Sequence, residues 1–143
     1  MKYTLAPGAT APTRATEGSA GYDLAAYLPK RAHQVKFVHL RGVTAMRTGV
    51  SMAIPPGHVG LVYVRSSLGA LGLMLANGTG VIDSDYRGEI ILKLTSYQGS
   101  IEINHGDRIA QLVIVPIITP ELEQVETHDE TERGTGGFGS TGK

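Results

Sequence analysis

A chain of 143 residues holds one domain of ordinary size rather than two. Glycine accounts for 19 of the 143 residues, roughly twice its usual share of ~7%, and this argues against an all-helical bundle. The formal charge is zero, 13 Lys plus Arg against 13 Asp plus Glu, which excludes the overall basic field of a non-specific nucleic-acid binder; with no cysteine, disulfides, thiolate nucleophiles and Cys-ligated metals are excluded too.

The zero hides a split. Residues 1–120 carry 11 basic and 7 acidic groups, and residues 121–143 carry 2 and 6, so a body of +4 is joined to a tail of −4. Apolar residues make up 41%, but there is no Trp and only two Phe, Phe37 and Phe138. The core must therefore be built from Val, Ile, Leu and Ala.

In chain order, Met1-Lys2-Tyr3-Thr4 lacks the apolar run of a signal peptide. Gly18 to Leu24 then holds Asp23 in a glycine-flanked stretch, either a turn aspartate or a carboxylate for hydrated Mg²⁺. Ala45 to Ile54 reads as a strand closed by the turn Pro55-Pro56-Gly57. His58 to Arg65 alternates, with Val59, Leu61 and Tyr63 on one face. It ends at Arg65-Ser66-Ser67, a cation and two hydroxyls that suit either a helix cap or an anion. Ser66 to Ala76, rich in Leu and Ala, is the one predicted short helix, weakened by Gly69 and Gly72.

After the turn Asn77-Gly78, the segment Gly80 to Glu89 packs Asp83, Asp85 and Glu89 into seven residues beside Tyr86. A polar turn is one reading. The other is a general base, Asp83, made more basic by burial against the shoulder Val81-Ile82, with the Tyr86 ring as a flat wall in a nucleotide-hydrolysing site. Glu89 to Thr95 alternates with Ile90, Leu92 and Leu94 together, and Ser100 to Ile103 and Ile109 to Ile117 complete the predicted strands. Gly106-Asp107-Arg108 reads as a turn with an Asp107–Arg108 pair. Interrupted by Gln111, the apolar run from Ile109 to Ile118 is far short of the ~20 residues that span a bilayer. A soluble, intracellular (cytoplasmic) protein is expected.

Past Pro120 the pattern changes. Six acidic residues in Glu121 to Glu132 read as a solvated connector or an edge strand. Residues 133–143 hold five glycines in eleven and cannot form a core of their own. Gly134, Gly136 and Gly139 make a formal G-x-G-x-x-G, but the helix that a dinucleotide fold needs has no room to follow. Closely spaced glycines still offer backbone N–H groups to phosphate oxygens, with Ser140, Thr141 and Arg133 adding donors. Phe138, alone among glycines, suits stacking on a flat ligand. The five histidines lack metal-site spacing and read as surface residues.

Five segments in this order resemble the five motifs of the homotrimeric dUTP pyrophosphatases (dUTPases): GSAGYDL (18–24), RSSLGALGL (65–73), NGTGVIDSDYRGEI (77–90), GDRIAQLV (106–113) and RGTGGFGSTG (133–142). The resemblance implies an all-β, jelly-roll-like distorted β-barrel over residues 1–120 with one short helix. It also implies an acidic connector over 121–132 and a flexible glycine-rich phosphate-binding arm over 133–143. It further implies a homotrimer with active sites between subunits, and a reaction converting dUTP and water to dUMP and pyrophosphate with Mg²⁺ as cofactor. That activity keeps uracil out of DNA and supplies dUMP for thymidylate synthesis.

By the same resemblance, Asp83 is the general base and Asp23 holds Mg²⁺ through water. Arg65, Ser66, Ser67 and Gln111 contact phosphates, and Asn77 with the backbone at Val81, Ile82 and Ile91 reads the uracil edge. Tyr86 packs on deoxyribose and Phe138 over the base, while Arg133, Gly139, Ser140 and Thr141 close on the outer phosphates. One departure stands at the second motif, where Val64-Arg65-Ser66-Ser67 replaces the commoner Pro-Arg-Ser-Gly. The Arg-Ser-Ser-Leu form also occurs in the dCTP deaminases, which share the fold, so that activity is the alternative enzyme reading. A β-barrel binding or regulatory module is the non-enzyme one.

Overall fold

The structure is a computed structural model, and it describes residues 1–29, 35–39 and 41–137. Eleven strands and one helical turn lie among the described residues: β1 (Lys2–Leu5), β2 (Gly21–Ala25), β3 (Val35–Val38), β4 (Thr44–Arg47), β5 (Val50–Ala53), β6 (His58–Val64), α1 (Ser66–Gly69), β7 (Leu73–Leu75), β8 (Gly80–Ile82), β9 (Ile91–Ser96), β10 (Ile101–Asn104) and β11 (Arg108–Pro116). All pairings are antiparallel. The largest sheet runs β2-β11-β6-β8, a second runs β4-β9-β7, and β1-β5 and β3-β10 pair separately. The all-β class with one short helix is as expected.

The core is aliphatic, as a chain without tryptophan requires. Leu24, Val38, Val50, Val62, Leu73, Leu92, Leu94, Ile103, Ile109 and Leu112 are all buried, with Met46 and Met52 filling the remainder. Phe37 stays outside, 47% exposed. On β6 the buried positions are Gly60 and Val62, so Val59, Leu61 and Tyr63 form the opposite, outer face.

Two expected elements break where glycines intervene. The strand predicted over Ala45 to Ile54 is two strands, because Gly49 sits at φ +67° and turns the chain between β4 and β5. The helix predicted over Ser66 to Ala76 lasts one turn. Gly72, at φ +93°, ends the segment, and Leu73 and Leu75 then alternate inward as strand β7 against β9. Leu-rich composition is ambiguous between the two periods, and a buried neighbouring strand decided it.

The turn at Gly49 is joined to the segment leading into the neighbouring strand β9 by one carboxylate. Glu89 takes a fork from Arg47, with Nη2 at 2.7 Å and Nε at 2.9 Å from Oε2, and accepts the Gly49 N–H at 2.7 Å. Burial pushes the Glu89 carboxyl up, but the hydrogen bonds from Arg47 and Gly49 and the Arg47 charge outweigh it, so the group sits below its ordinary value. A carboxyl depressed in this way adds stability above its unfolded-state value and loses it as pH falls through the folded-state one.

Two outcomes test the packing. Gly60→Ala should lower stability by about 1–3 kcal/mol in urea unfolding, because a Cβ there would lie 2.6 Å from Ile54 Cδ1 and 2.9 Å from Leu112 Cδ1. Glu89→Gln should unfold at lower urea than the parent at pH 7, with the gap closing as the pH is taken below about 4. A gap that ignores pH would mean that the ionised form of Glu89 is not what the contact uses.

Candidate active site

Strand β11 builds one half of the site through its register. Gln111 stands opposite Asp23 on β2 and opposite Tyr63 on β6, so the three side chains share the outer face of the sheet. One residue past β6, Arg65 caps the helical turn, donating no side-chain bond, and its carbonyl accepts from Leu68 and Gly69. A cavity of about 240 Å³ is lined by Ser19, Gly21, Asp23, Arg65, Ser66 and Gln111, with Ala15 and Ala20 on its rim. Gly21 is needed there, since a Cβ would lie 3.2 Å from Gln111 Oε1. Ser67 is exposed on the same turn and lies beyond the lining.

Asp23 is the single carboxylate of this cavity and is doubly engaged. Its Oδ1 lies 3.1 Å from Arg65 Nε, and its Oδ2 accepts from Arg108 Nη1 at 3.1 Å. The expected Asp107–Arg108 turn pair therefore does not form. Asp107 instead takes the Asn104 N–H at 2.7 Å, which closes the β10–β11 turn, and Arg108 is free to reach β2. Arg108 is a site residue that motif reading missed. Plain alternation from Gln111 would turn Arg108 inward; a register shift between Arg108 and Ala110 sets it opposite Ala25, on the face of Asp23.

The other half is the hairpin from Asn77 to Ile91. A narrow cavity of about 50 Å³ is lined by Asn77, Gly80, Ile82 and Ile91 over a floor that includes Val62 and Leu75. Val81, 62% exposed, points to the outer face beside Leu61. Of the three clustered carboxylates, Glu89 is committed to Arg47 and Gly49, while Asp83 and Asp85 are exposed. The expected burial of Asp83 is absent from the single chain: the apolar shoulder alternates away from it, and the chain turns to solvent after Ile82. Tyr86 is folded back, its hydroxyl donating to Glu89 O at 2.9 Å. Gly88 permits this, because a Cβ there would collide with the ring, 2.9 Å from Cε2.

The two halves do not meet within one chain. Ile82 pairs with Gly60, which puts Asp83 beside Val59, whereas Arg65 lies six residues further along β6 (59 to 65), a distance of about 20 Å at ~3.3 Å per residue. The two cavities share no lining residue.

Beyond β11 the described chain to residue 137 forms no strand or helix. Ile117 N still bonds Gly57 O at 2.9 Å, but Ile118 is 92% and Leu122 98% exposed. Arg133 Nε donates to Gly136 O at 3.0 Å, closing a small loop on itself. Phe138, Gly139, Ser140 and Thr141 lie outside the described residues. Among the described residues, no cluster of three or more His, Asp or Glu could hold a metal, and no helix is long and apolar enough to cross a membrane.

A family model described as dUTPase matches residues 8–142. The deoxyuridine 5'-triphosphate nucleotidohydrolase of Mus musculus is 44% identical over 141 residues, covering 97% of this chain and 82% of the mouse protein. That of Anaplasma marginale is 44% identical over 138 residues, covering 94% and 90%. Among solved structures, the dUTPase of Staphylococcus bacteriophage 80alpha with dUpNHpp superimposes with a TM-score of 0.85 at 32% identity, over 99% of this chain and 98% of the other. A point variant of the phage phi11 enzyme, solved for its coordination of a structural Mg(II) ion, gives 0.75 at 30% identity over 88% and 96%. The chain therefore belongs to the dUTPase family.

Proposed function

We infer that the chain hydrolyses dUTP to dUMP and pyrophosphate at a site shared between copies of itself. The observation that carries this is the division of the site: a cation- and hydroxyl-lined cavity suited to phosphates, and a separate slot in the hairpin suited to a flat base, which share no lining residue. Two features support a homotrimer closed around such sites. The outer face of the large sheet is an apolar stripe of Val59, Leu61, Val113 and Val115 with Val81 at its edge, and the chain beyond β11 leaves Ile118, Leu122 and Val125 exposed. We read the four sheets as a distorted jelly roll, with residues 121–132 as connector and 133–143 as arm.

In this reading the base enters the Asn77–Ile91 hairpin. Backbone groups at Val81, Ile82 and Ile91 and the Asn77 carboxamide read its edge, and the small slot has no volume for a 5-methyl group. Cytosine would leave donors and acceptors unpaired, a strong basis for rejection. Tyr86, held by its own hydrogen bond, presents its ring to the sugar. Arg65, Ser66, Ser67 and Gln111 of a second copy hold the phosphates. Asp83 takes a proton from water as its oxygen bonds the α-phosphorus, and the bond to the bridging oxygen breaks as pyrophosphate leaves. Arg133, Gly139, Ser140 and Thr141 close over the outer phosphates and Phe138 over the base, excluding other water.

The donor set fits Mg²⁺ only as a hydrated ion. Asp23 is one carboxylate with both oxygens already facing arginines, so it would reach the ion through water while the substrate's phosphates supply direct ligands. When bound, Mg²⁺ supplies charge neutralisation at the triphosphate.

With dUTP and dCTP offered separately, pyrophosphate should appear from dUTP alone; ammonia from dCTP would make the chain a deaminase, and neither product would favour a binding module. Asp83→Asn should still bind dUTP but lose at least about a hundredfold in kcat, as expected for removal of a general base; a near-normal kcat would sink that assignment. Deleting residues 133–143 should leave a folded trimer by light scattering with kcat/KM sharply reduced, and a truncated chain with parental kcat/KM would rule out the arm as a lid.

A further inference from the structure

Asp83 and Tyr86 lie in a segment with no strand of its own, so their position depends on what holds its two ends. The leading end is β8, laddered to β6. The returning end is tied to residues 47–51, the β4–β5 turn. Ile90 N donates to Val50 O at 2.8 Å, Thr48 Oγ1 donates to Ile90 O at 2.7 Å, and Ser51 Oγ donates to Arg87 O at 2.7 Å. The Arg47 fork and the Gly49 N–H on Glu89 complete the attachment.

Inside the segment the apex is knitted to that same anchor. Arg87 Nη1 donates to the carbonyls of Ser84 at 2.7 Å and Tyr86 at 2.9 Å, and the Tyr86 hydroxyl bonds Glu89 O. A shift of Glu89 therefore carries the whole apex with it. Arg47 is fixed from behind as well: its guanidinium carbon lies 5.2 Å from the centroid of the Tyr27 ring, and the Tyr27 hydroxyl bonds Pro7 O at 3.0 Å. Arg47 lies outside all five motifs and lines neither half of the site.

We propose that Arg47 is a positioning residue for Asp83, setting through its fork on Glu89 the angle at which the Asp83 segment leaves the sheet. The proposal rests on the reading of Asp83 as the base. An ion pair half exposed at its arginine adds modest stability, and its further consequence is geometric. Misplacing a reacting group by about 1 Å is enough to slow a reaction substantially while leaving remote binding contacts in place. The effect should therefore fall on kcat and spare KM.

The test is a double-mutant cycle on the intact assembled protein. Arg47→Met should lower kcat on the order of tenfold with KM for dUTP changed by less than about twofold. Arg47→Lys, which keeps the charge but not the fork, should fall between. In an Asp83→Asn background, Arg47→Met should leave the residual rate unchanged, because the group it positions is gone. An equal loss in that background, a parental kcat in Arg47→Met, or a raised KM at unchanged kcat would each overturn the proposal. Asp83→Asn with parental kcat would overturn the base reading itself, a separate result. Should Arg47→Met not fold, Glu89→Gln carries the same cycle, since it keeps an acceptor for Gly49 N–H and loses the carboxylate fork.

Discussion

The pairing of β11 with β2 on one side and β6 on the other is the constraint from which the rest of the molecule follows. Nine residues long and central in the largest sheet, β11 fixes which side chains share a face. Because side chains alternate along a strand, that one register puts Gln111, Asp23 and Tyr63 together outside and Ala110, Leu112 and Val62 together inside. A slip of one residue would bury the glutamine and expose the leucine. The core and the cavity at Asp23 are thus opposite faces of a single ladder.

The same ladder keeps the two halves of the site apart. Arg65 follows one end of β6, while β8 runs along Gly60–Val62 and carries Asp83 towards the other, so the strand holds that carboxylate and the arginine apart within one chain. What lies between them on the outer face is apolar. On the proposed reading of a site shared between copies, association and site completion are one event.

Much of this was legible in the sequence, for reasons that differ by residue. Alternation located β6 and β9 because each has one buried face, and a run of apolar residues located β11. The predicted strands also covered β10 and, as one strand, β4 and β5, whereas the short strands β1, β2 and β3 went unread, as did β8, whose three residues stand between turns. The segment Ser66–Ala76 misled because leucines at 68, 71, 73 and 75 mix three-residue and two-residue spacings, and so leave helix and strand both open until Gly72 is known to be left-handed. The motifs gave the identity of the charged groups but not their partners. Asp107 and Arg108 are adjacent in sequence yet point to different strands, and Glu89, one of three clustered carboxylates, has the work of a tie rather than of a base. Arg47 gave no signal at all, since its meaning comes from a contact 42 positions away.

The 20 Å interval along β6 also bears on inheritance. If each site draws its base from one copy and its phosphate ligands from another, two differently damaged chains are not equivalent to one damaged chain. A copy defective at Asp83 and a copy defective at Arg65, each inactive alone, would restore a whole site wherever their sound halves meet. A single defective copy mixed with normal ones would spoil sites on both of its flanks. On that reading, complementation between alleles, and dominance of one over another, follow from the length of one strand.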